Sequence, residues 1–216
     1  MKNRKEAKEG TSICLVTRDR PDTLKVTLDA LVRTLMPPWE IIIVDNASAA
    51  ASTLNLLKYA EDQGWTVIRN HKNRGLSEAT NQGLRAGNFD CLIHMDDDAL
   101  LEQPGWNLEL RSFFKHEKVG LVMPFTGTEF IQQEGYKEVR WWLGLVWGIR
   151  ESLFDDIGGY DPQLIHQNEC DLCLRVRMAG FHVAGISTVQ VQHNEPRGIS
   201  RTDLSLAREH LGVVQF

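Results

Sequence analysis

The sequence predicts a single α/β domain with a mainly parallel central sheet and helices on both faces. Three observations carry that expectation. Short, continuous apolar runs alternate with stretches whose apolar residues recur at helical spacing, the pattern of strands buried on both faces and joined by helices. The 216 residues are 42% hydrophobic and 25% charged, enough for one sizeable core of ordinary composition. No linker, low-complexity tract or internal repeat divides the chain.

The elements follow in order. After a polar leader over residues 1–10, "SICLVTR" (Ser12 to Arg18) reads as the first strand. "RPDTLKVTLDALVRTL" sets Leu24, Leu28, Leu31, Val32 and Leu35 at helical spacing, with Pro21 and Asp22 suited to the helix start, and "MPPWE" ends it. "IIIVDNAS" is a strand running into a polar loop, followed by a helix from about Thr53 to Asp62 and the strand "WTVIRN". "NRGLSEATNQGLRAG" is a loop entering a helix that stops at Gly87, and "CLIHM" and "VGLVMP" are further strands. From about Thr126 the pattern is less regular. It holds "WWLGLVWGIR", a short helix near Glu151 to Ile157, "GGYDP", a helix near Asn168 to Ala179 and the strand-like "VAGISTVQVQH".

Composition narrows function by exclusion. A formal net charge of −5 gives no basic footprint, so no nucleic-acid partner is expected. No window approaches the roughly 18 apolar residues of a membrane span, and the opening "MKNRKEAKEG" lacks the apolar core of a secretory signal. The expectation is a cytoplasmic protein, peripheral at a membrane if the chain is part of a longer one. Cys14 and Cys91 lie in apolar runs and Cys170 and Cys173 form the one Cys-x-x-Cys, read as core thiols because no second ligand pair stands at zinc spacing.

In open sheets of this kind, ligands bind beyond the carboxyl ends of the strands. Polar residues cluster there: Thr17, Arg18 and Asp19, then Asp45 and Asn46, then Asn73 and Arg74, then Asp96 to Asp98. Side chains alternate along extended backbone, so Asp96 and Asp98 are expected to face one point and Asp97 the other way. Two ionised carboxylates at one point repel unless a cation compensates them. Mg²⁺ or Mn²⁺, bound by one or two carboxylates and substrate phosphates, would do so.

The order of "SICLVTRDRP", "IIIVDNAS", "NRGLSEATNQGL", "HMDDDALL", "VWGIRESLFDDIGGYDP", "NECDLCLRVRMAGF" and "VQVQH" resembles the family-2 glycosyltransferases of the GT-A fold, from about Ser12 to His193. The resemblance implies a nucleotide-diphosphate-sugar donor, a UDP-sugar foremost, bound by residues of about 12–100. It implies a saccharide, lipid-linked or protein acceptor bound by about 101–195, and transfer with inversion at the anomeric carbon. Asp45 matches the acidic residue that contacts the nucleoside, with Thr17 lining the base pocket; Arg74 and Asn81 lie in the segment resembling further donor contacts. Asp96 and Asp98 match the metal motif, with Asp98 the direct ligand and Asp97 nearer sugar or ribose hydroxyls. His193 falls where metal-dependent relatives have a histidine near the donor metal. A bound Mn²⁺ or Mg²⁺ would neutralise charge on the leaving diphosphate.

An inverting transfer also needs a base for the acceptor hydroxyl. "NECDLCLR" resembles the family's Glu-Asp-x-Asp-Leu-x-x-Arg helix start. Aligned on Asp171, Leu172 and Arg175, it puts Asn168 where the family has Glu and Glu169 where it has Asp. Glu169 is therefore the expected base, one methylene longer than usual and favoured by the helix N-terminus. Asp171 and Arg175 stand at i,i+4, a pair that orders a helix. Trp147 and Asp171 are expected on the acceptor side, and Trp141, Trp142 and Trp147 offer flat surfaces for sugar rings.

Other readings share some of these ingredients. A sugar-phosphate nucleotidyltransferase would carry a glycine-rich phosphate loop after the first strand, and "VTRDRPDTL" has no glycine. A dehydrogenase lacks its Gly-x-Gly-x-x-Gly for the same reason. A glycosidase has no need of the nucleotide-side features. A catalytically inactive sugar- or nucleotide-binding domain would not need both the carboxylate triplet and Glu169.

Overall fold

A computed structural model describes residues 7–140, 144–164 and 167–194. Its first half repeats strand and helix: β1 (Lys8–Thr17), α1 (Pro21–Thr34), β2 (Trp39–Asp45), α2 (Ala51–Asp62), β3 (Thr66–Arg69), α3 (Leu76–Arg85) and β4 (Phe89–Asp96). Then come β5 (Ala99–Leu100), α4 (Trp106–Ser112), β6 (Val119–Pro124), the hairpin β7 (Ile131–Gln133) and β8 (Tyr136–Glu138), β9 (Val146–Arg150), α5 (Glu151–Ile157), α6 (Asn168–Met178), β10 (His182–Ile186) and β11 (Gln192–His193).

Nine strands form one sheet in the order β3-β2-β1-β4-β9-β6-β10-β8-β7. The strands β3, β2, β1 and β4 are mutually parallel, as are β6 and β10. Strand β9 runs antiparallel between β4 and β6. It arises inside "WWLGLVWGIR", whose apolar run has no helical or alternating period to mark its direction.

Period-two alternation sorts the strand residues onto two cores. Ile13, Leu15, Ile41, Ile43, Ile93 and Met95 pack beneath α1, α2 and α4 with Leu24, Leu28, Leu31, Leu57 and Trp106. Cys14, Val44, Leu92 and Trp147 pack on the other face with Leu84, Phe154, Tyr160, Leu172 and Val176 from α3, α5, α6 and the loop between the last two. Helix α3 lies so close to the sheet that a Cβ at Gly83 would stand 2.2 Å from Cys14 Sγ. The Cys14 thiol is buried there and pushed up to about 12, an inert core group.

Three expectations need correction. Val32 does not join the α1 core stripe and is 59% exposed. Cys170 is only half-buried, unlike Cys14, Cys91 and Cys173. "VAGISTVQVQH" is not one strand: β10 ends at Ile186, and the chain bends before β11 pairs antiparallel with β5. Among the described residues no helix is long and apolar enough to cross a membrane.

Candidate functional site

The carboxyl ends of β1, β2 and β3 are sewn together by their own polar groups. The Asn46 N–H donates to Thr17 O at 2.9 Å, and the Asn70 N–H to Asp45 O at 2.9 Å. The Asn46 side chain reaches across to Asn73 Oδ1 at 2.7 Å and accepts the Arg74 N–H at 3.0 Å. Asp45 is buried, and its Oδ1 accepts the Ser48 N–H at 2.9 Å, which turns the chain away from β2. The result is a fixed polar rim along one edge of the sheet.

The acidic triplet sits on that rim, but it is divided differently from what alternation suggests. Strand β4 ends at Asp96, and Asp97 and Asp98 form the turn into β5, so the period of two stops there. Asp97 and Asp98 therefore share a cation: Arg20 donates to Asp97 Oδ1 at 2.8 Å and to Asp98 Oδ2 at 2.5 Å. Asp97 also accepts the Thr17 hydroxyl at 2.6 Å. Burial pushes the Asp97 carboxyl up to about 6, against the opposing pull of Thr17 and Arg20. Burial also pulls the Arg20 guanidinium down, but Asp98 and the other two carboxylates outweigh it and raise it. Asp96, still on the strand, faces the same side as His94, whose Nε2 lies 3.0 Å from Asp96 Oδ1.

The β5–β11 pairing sets His193 opposite Ala99 and brings its Nε2 to 3.2 Å from Asp98 Oδ2. The Asn194 N–H donates to Asp98 O at 2.7 Å and closes this corner.

A second carboxylate faces the same edge from α6. Glu169 Oε1 accepts the Tyr160 hydroxyl at 3.4 Å, and the Tyr160 oxygen accepts Trp147 Nε1–H at 2.9 Å. Trp147 stacks on His94 with ring centroids 5.2 Å apart, and Tyr160 meets both rings edge-on. One buried aromatic cluster thus lies between Asp96 and Glu169. Beside α6 opens a cleft of about 1150 Å³ lined by Phe125, Phe130, Ile131, Glu138, Cys170 and Arg177, among others.

Residues 12–166 match the model of glycosyl transferase family 2. The chain belongs to that family. It is 28% identical to the glycosyltransferase YwdF of Bacillus subtilis over 76% of this chain and 66% of the relative. It is 25% identical to the protein y4gI of Sinorhizobium fredii over 87% of this chain and 25% of the relative. With poly-β-1,6-N-acetyl-D-glucosamine synthase of Staphylococcus aureus the figures are 25% identity, 53% and 28%. The chain therefore spans only about a quarter of the length of the latter two relatives. Among solved structures, the mannosyltransferase PcManGT of Pyrobaculum calidifontis, in complex with GDP-Man and Mn²⁺, superposes with a TM-score of 0.78 at 16% identity, over 95% of this chain and 63% of the other. GalNAc-T7 with UDP, GalNAc and Mn²⁺ gives 0.74 at 15%, over 94% and 48%. The fold is GT-A.

Against this family-2 frame, the expected site residues separate into two groups. Asp96, Asp97, Asp98, Thr17, His193 and Asp45 converge on the strand-end rim, and Glu169 lies across the aromatic cluster from Asp96. Trp147 does not offer a sugar platform: it is 2% exposed and sealed in the core. Asn81 is buried as well, and its amide is spent on the Tyr160 backbone rather than open to a donor. Arg74 is exposed in the loop before α3 and paired at 2.5 Å with Glu78 in that helix's first turn. Asp171 is held by Arg175 at 2.5 and 2.9 Å, which orders α6. Trp141 and Trp142 lie outside the described residues. Asn168, where the family pattern has Glu, is buried with Oδ1 unpartnered.

Sequence reasoning missed Arg20, His94 and Tyr160. Arg20 had a signal, since three adjacent carboxylates require a compensating cation and "RDRP" follows the first strand. His94 had one too: a polar residue two places before Asp96 in an apolar strand shares its face. Tyr160 had none, because its hydroxyl partners are set by the tertiary fold.

Among the described residues, no three His, Cys, Asp or Glu side chains already form a metal cage. A cation held partly by substrate phosphates needs only one or two protein carboxylates. Asp98 with His193 beside it and the partly exposed Asp96 are an oxygen-rich donor set fitting Mn²⁺ or Mg²⁺.

Proposed function

We propose that this chain is an inverting glycosyltransferase that moves a hexosyl group from a nucleotide-diphosphate-sugar to an acceptor hydroxyl by direct displacement. The observation that carries the reading is the pairing of two carboxylate groups across one buried cluster at the strand ends of a GT-A sheet. Asp96 to Asp98 stand on the donor side, and Glu169 on the acceptor side.

Residues of about 12–100 bind the donor, with Asp45 and Thr17 toward the nucleoside, and residues of about 101–195 bind the acceptor and carry the base. Asp98, with Asp96 and His193, would hold Mn²⁺ or Mg²⁺, which supplies Lewis-acid stabilisation of the departing diphosphate. Glu169 takes the acceptor proton as the acceptor oxygen bonds to the anomeric carbon and the bond to the diphosphate breaks. It stands in the first turn of α6. UDP and GDP-sugars are the donor candidates, since they and Mn²⁺ occur in the structural neighbours.

Arg20 favours a second reading. It already bridges Asp97 and Asp98, as a domain that binds its ligand without a metal would require. Calorimetric titration of UDP, GDP and dTDP and their common sugar conjugates, with and without Mn²⁺, on the native chain and on Asp98→Ala separates the two. Metal-dependent binding of one nucleotide, lost in Asp98→Ala, is expected. Binding indifferent to both would sink the metal-assisted reading. The anomeric configuration of the product, read by NMR, tests inversion.

A further inference from the structure

We infer that Asn81 and Tyr160 form a positioning relay that fixes the Glu169 carboxylate against the acceptor; the inference rests on Glu169 being the base. The relay starts in α3, on the donor-binding half. Asn81 Nδ2 donates to Tyr160 O at 2.7 Å, and the Tyr160 N–H donates to Asn81 Oδ1 at 2.7 Å. This two-way clamp fixes the amide orientation of Asn81 and pins the backbone of the loop between α5 and α6. It also requires glycine next door. Gly159 has φ +74°, and a Cβ there would stand 2.4 Å from Asn81 Oδ1.

The clamped tyrosine then has one place to send its proton. Tyr160 is 1% exposed, and its oxygen is already an acceptor from Trp147 Nε1–H at 2.9 Å. An indole nitrogen only donates, so the phenolic O–H must find its acceptor elsewhere, and Glu169 Oε1 is there at 3.4 Å. Burial, and after it the charge of Glu169, raise the phenol well above its ordinary value, so the hydroxyl remains a donor. Asp96 from β4 and Cys173 from α6 act on it in the same direction. With Oε1 occupied, Oε2 is the oxygen left for the acceptor proton. Hydrogen bonds to catalytic groups are often long in the free enzyme and tighten in the complex. The arrangement makes Tyr160 a positioning residue, acting through Glu169, and gives Asn81 and "GGYDP" a role no sugar contact explains.

The test uses Tyr160→Phe, which keeps the ring and removes only the hydroxyl, beside Glu169→Gln. Nucleotide release is measured with a panel of UDP-glucose, UDP-GlcNAc, UDP-galactose, GDP-mannose and dTDP-glucose in Mn²⁺, and crystal structures of parent and variant are compared. In Tyr160→Phe, kcat should fall roughly ten- to a hundredfold, the effect of losing a hydrogen bond to a charged group. The donor KM should hold, a split from kcat that mere loosening of the fold would not give, while the Tm should fall by a few °C because Trp147 Nε1–H loses its acceptor. In the crystal the Glu169 carboxylate should turn from its parent position. Full kcat in Tyr160→Phe, with turnover abolished in Glu169→Gln, overturns the relay and leaves the base. Turnover retained in Glu169→Gln removes the base itself. Should none of these donors be turned over, an unmoved carboxylate in the Tyr160→Phe crystal overturns the relay.

Discussion

The two halves of the sheet reach the same rim by different means. In β1, β2 and β4, each polar residue arrives at the strand end because the strand carries it there: Thr17, Asp45 and Asp96 are the last residues of their strands. In the second half, the groups on the rim are held by partners far away in sequence. Asn81 holds Tyr160, which faces Glu169, and β5 holds His193 beside Asp98. Where a parallel strand delivers a residue, position alone suggests its task. Where hydrogen bonds across the fold deliver it, the task depends on contacts that local pattern does not encode.

The comparison breaks first at Trp147, where delivery and core coincide. Trp147→Ala empties a fully buried indole site and deletes the donor to Tyr160, so a loss of about 3–5 kcal/mol in urea unfolding is expected. Were Trp147 a sugar platform, stability would hold and the acceptor KM would rise instead. A finer test pairs two adjacent glycines. Gly159→Ala combines left-handed backbone with clashes against Asn81 Oδ1 and the Phe154 ring and should cost about 3 kcal/mol, whereas Gly158→Ala, also left-handed at φ +84° but with open space around its Cβ, should cost about half that. Equal losses would mean that neither Asn81 nor the Phe154 ring holds that corner tightly.

The same contrast decides how much could be read beforehand. The first four strands and three helices were legible because an apolar run bounded by an amphipathic stretch leaves one arrangement, a parallel sheet covered on both faces. The carboxylate triplet was legible as a cluster, yet not in its pairing, because a turn replaces extended backbone after Asp96 and sends Asp97 to the same Arg20 as Asp98 rather than to the opposite side from it. Strand β9 was hidden, since an apolar run of five residues does not state its direction. Asn81 and Trp147 drew functional expectations from the motif around them, and the structure spends both on Tyr160. A motif marks residues the architecture needs, and a structural clamp is as needed as a ligand contact.

The smallest effect probes a contact across the loops of the first half. Helix α2 has no side-chain cap; Asp19, in the loop after β1, instead holds the approach to it, with Oδ1 accepting the Ala49 and Ala50 N–H groups at 2.8 Å each. Asp19 adopts φ +52° to reach them. Those two backbone hydrogen bonds, that of Ala50 first, hold its carboxyl below the ordinary carboxylate value, with a minor contribution from Arg18. A depressed value means stabilisation that is complete above the unfolded pKa of about 3.9 and lost as pH falls through the lower folded value. Asp19→Asn keeps an acceptor oxygen and a residue tolerant of left-handed backbone while removing the charge. It should lower Tm by no more than about 3 °C at pH 7, and the gap to the parent should close in acid below the folded value. A gap that stays constant across that range would show that the carboxylate's charge contributes nothing to the contact, and a large loss at pH 7 would make Asp19 a second long-range clamp of the first half, beside Arg20 on Asp97 and Asp98.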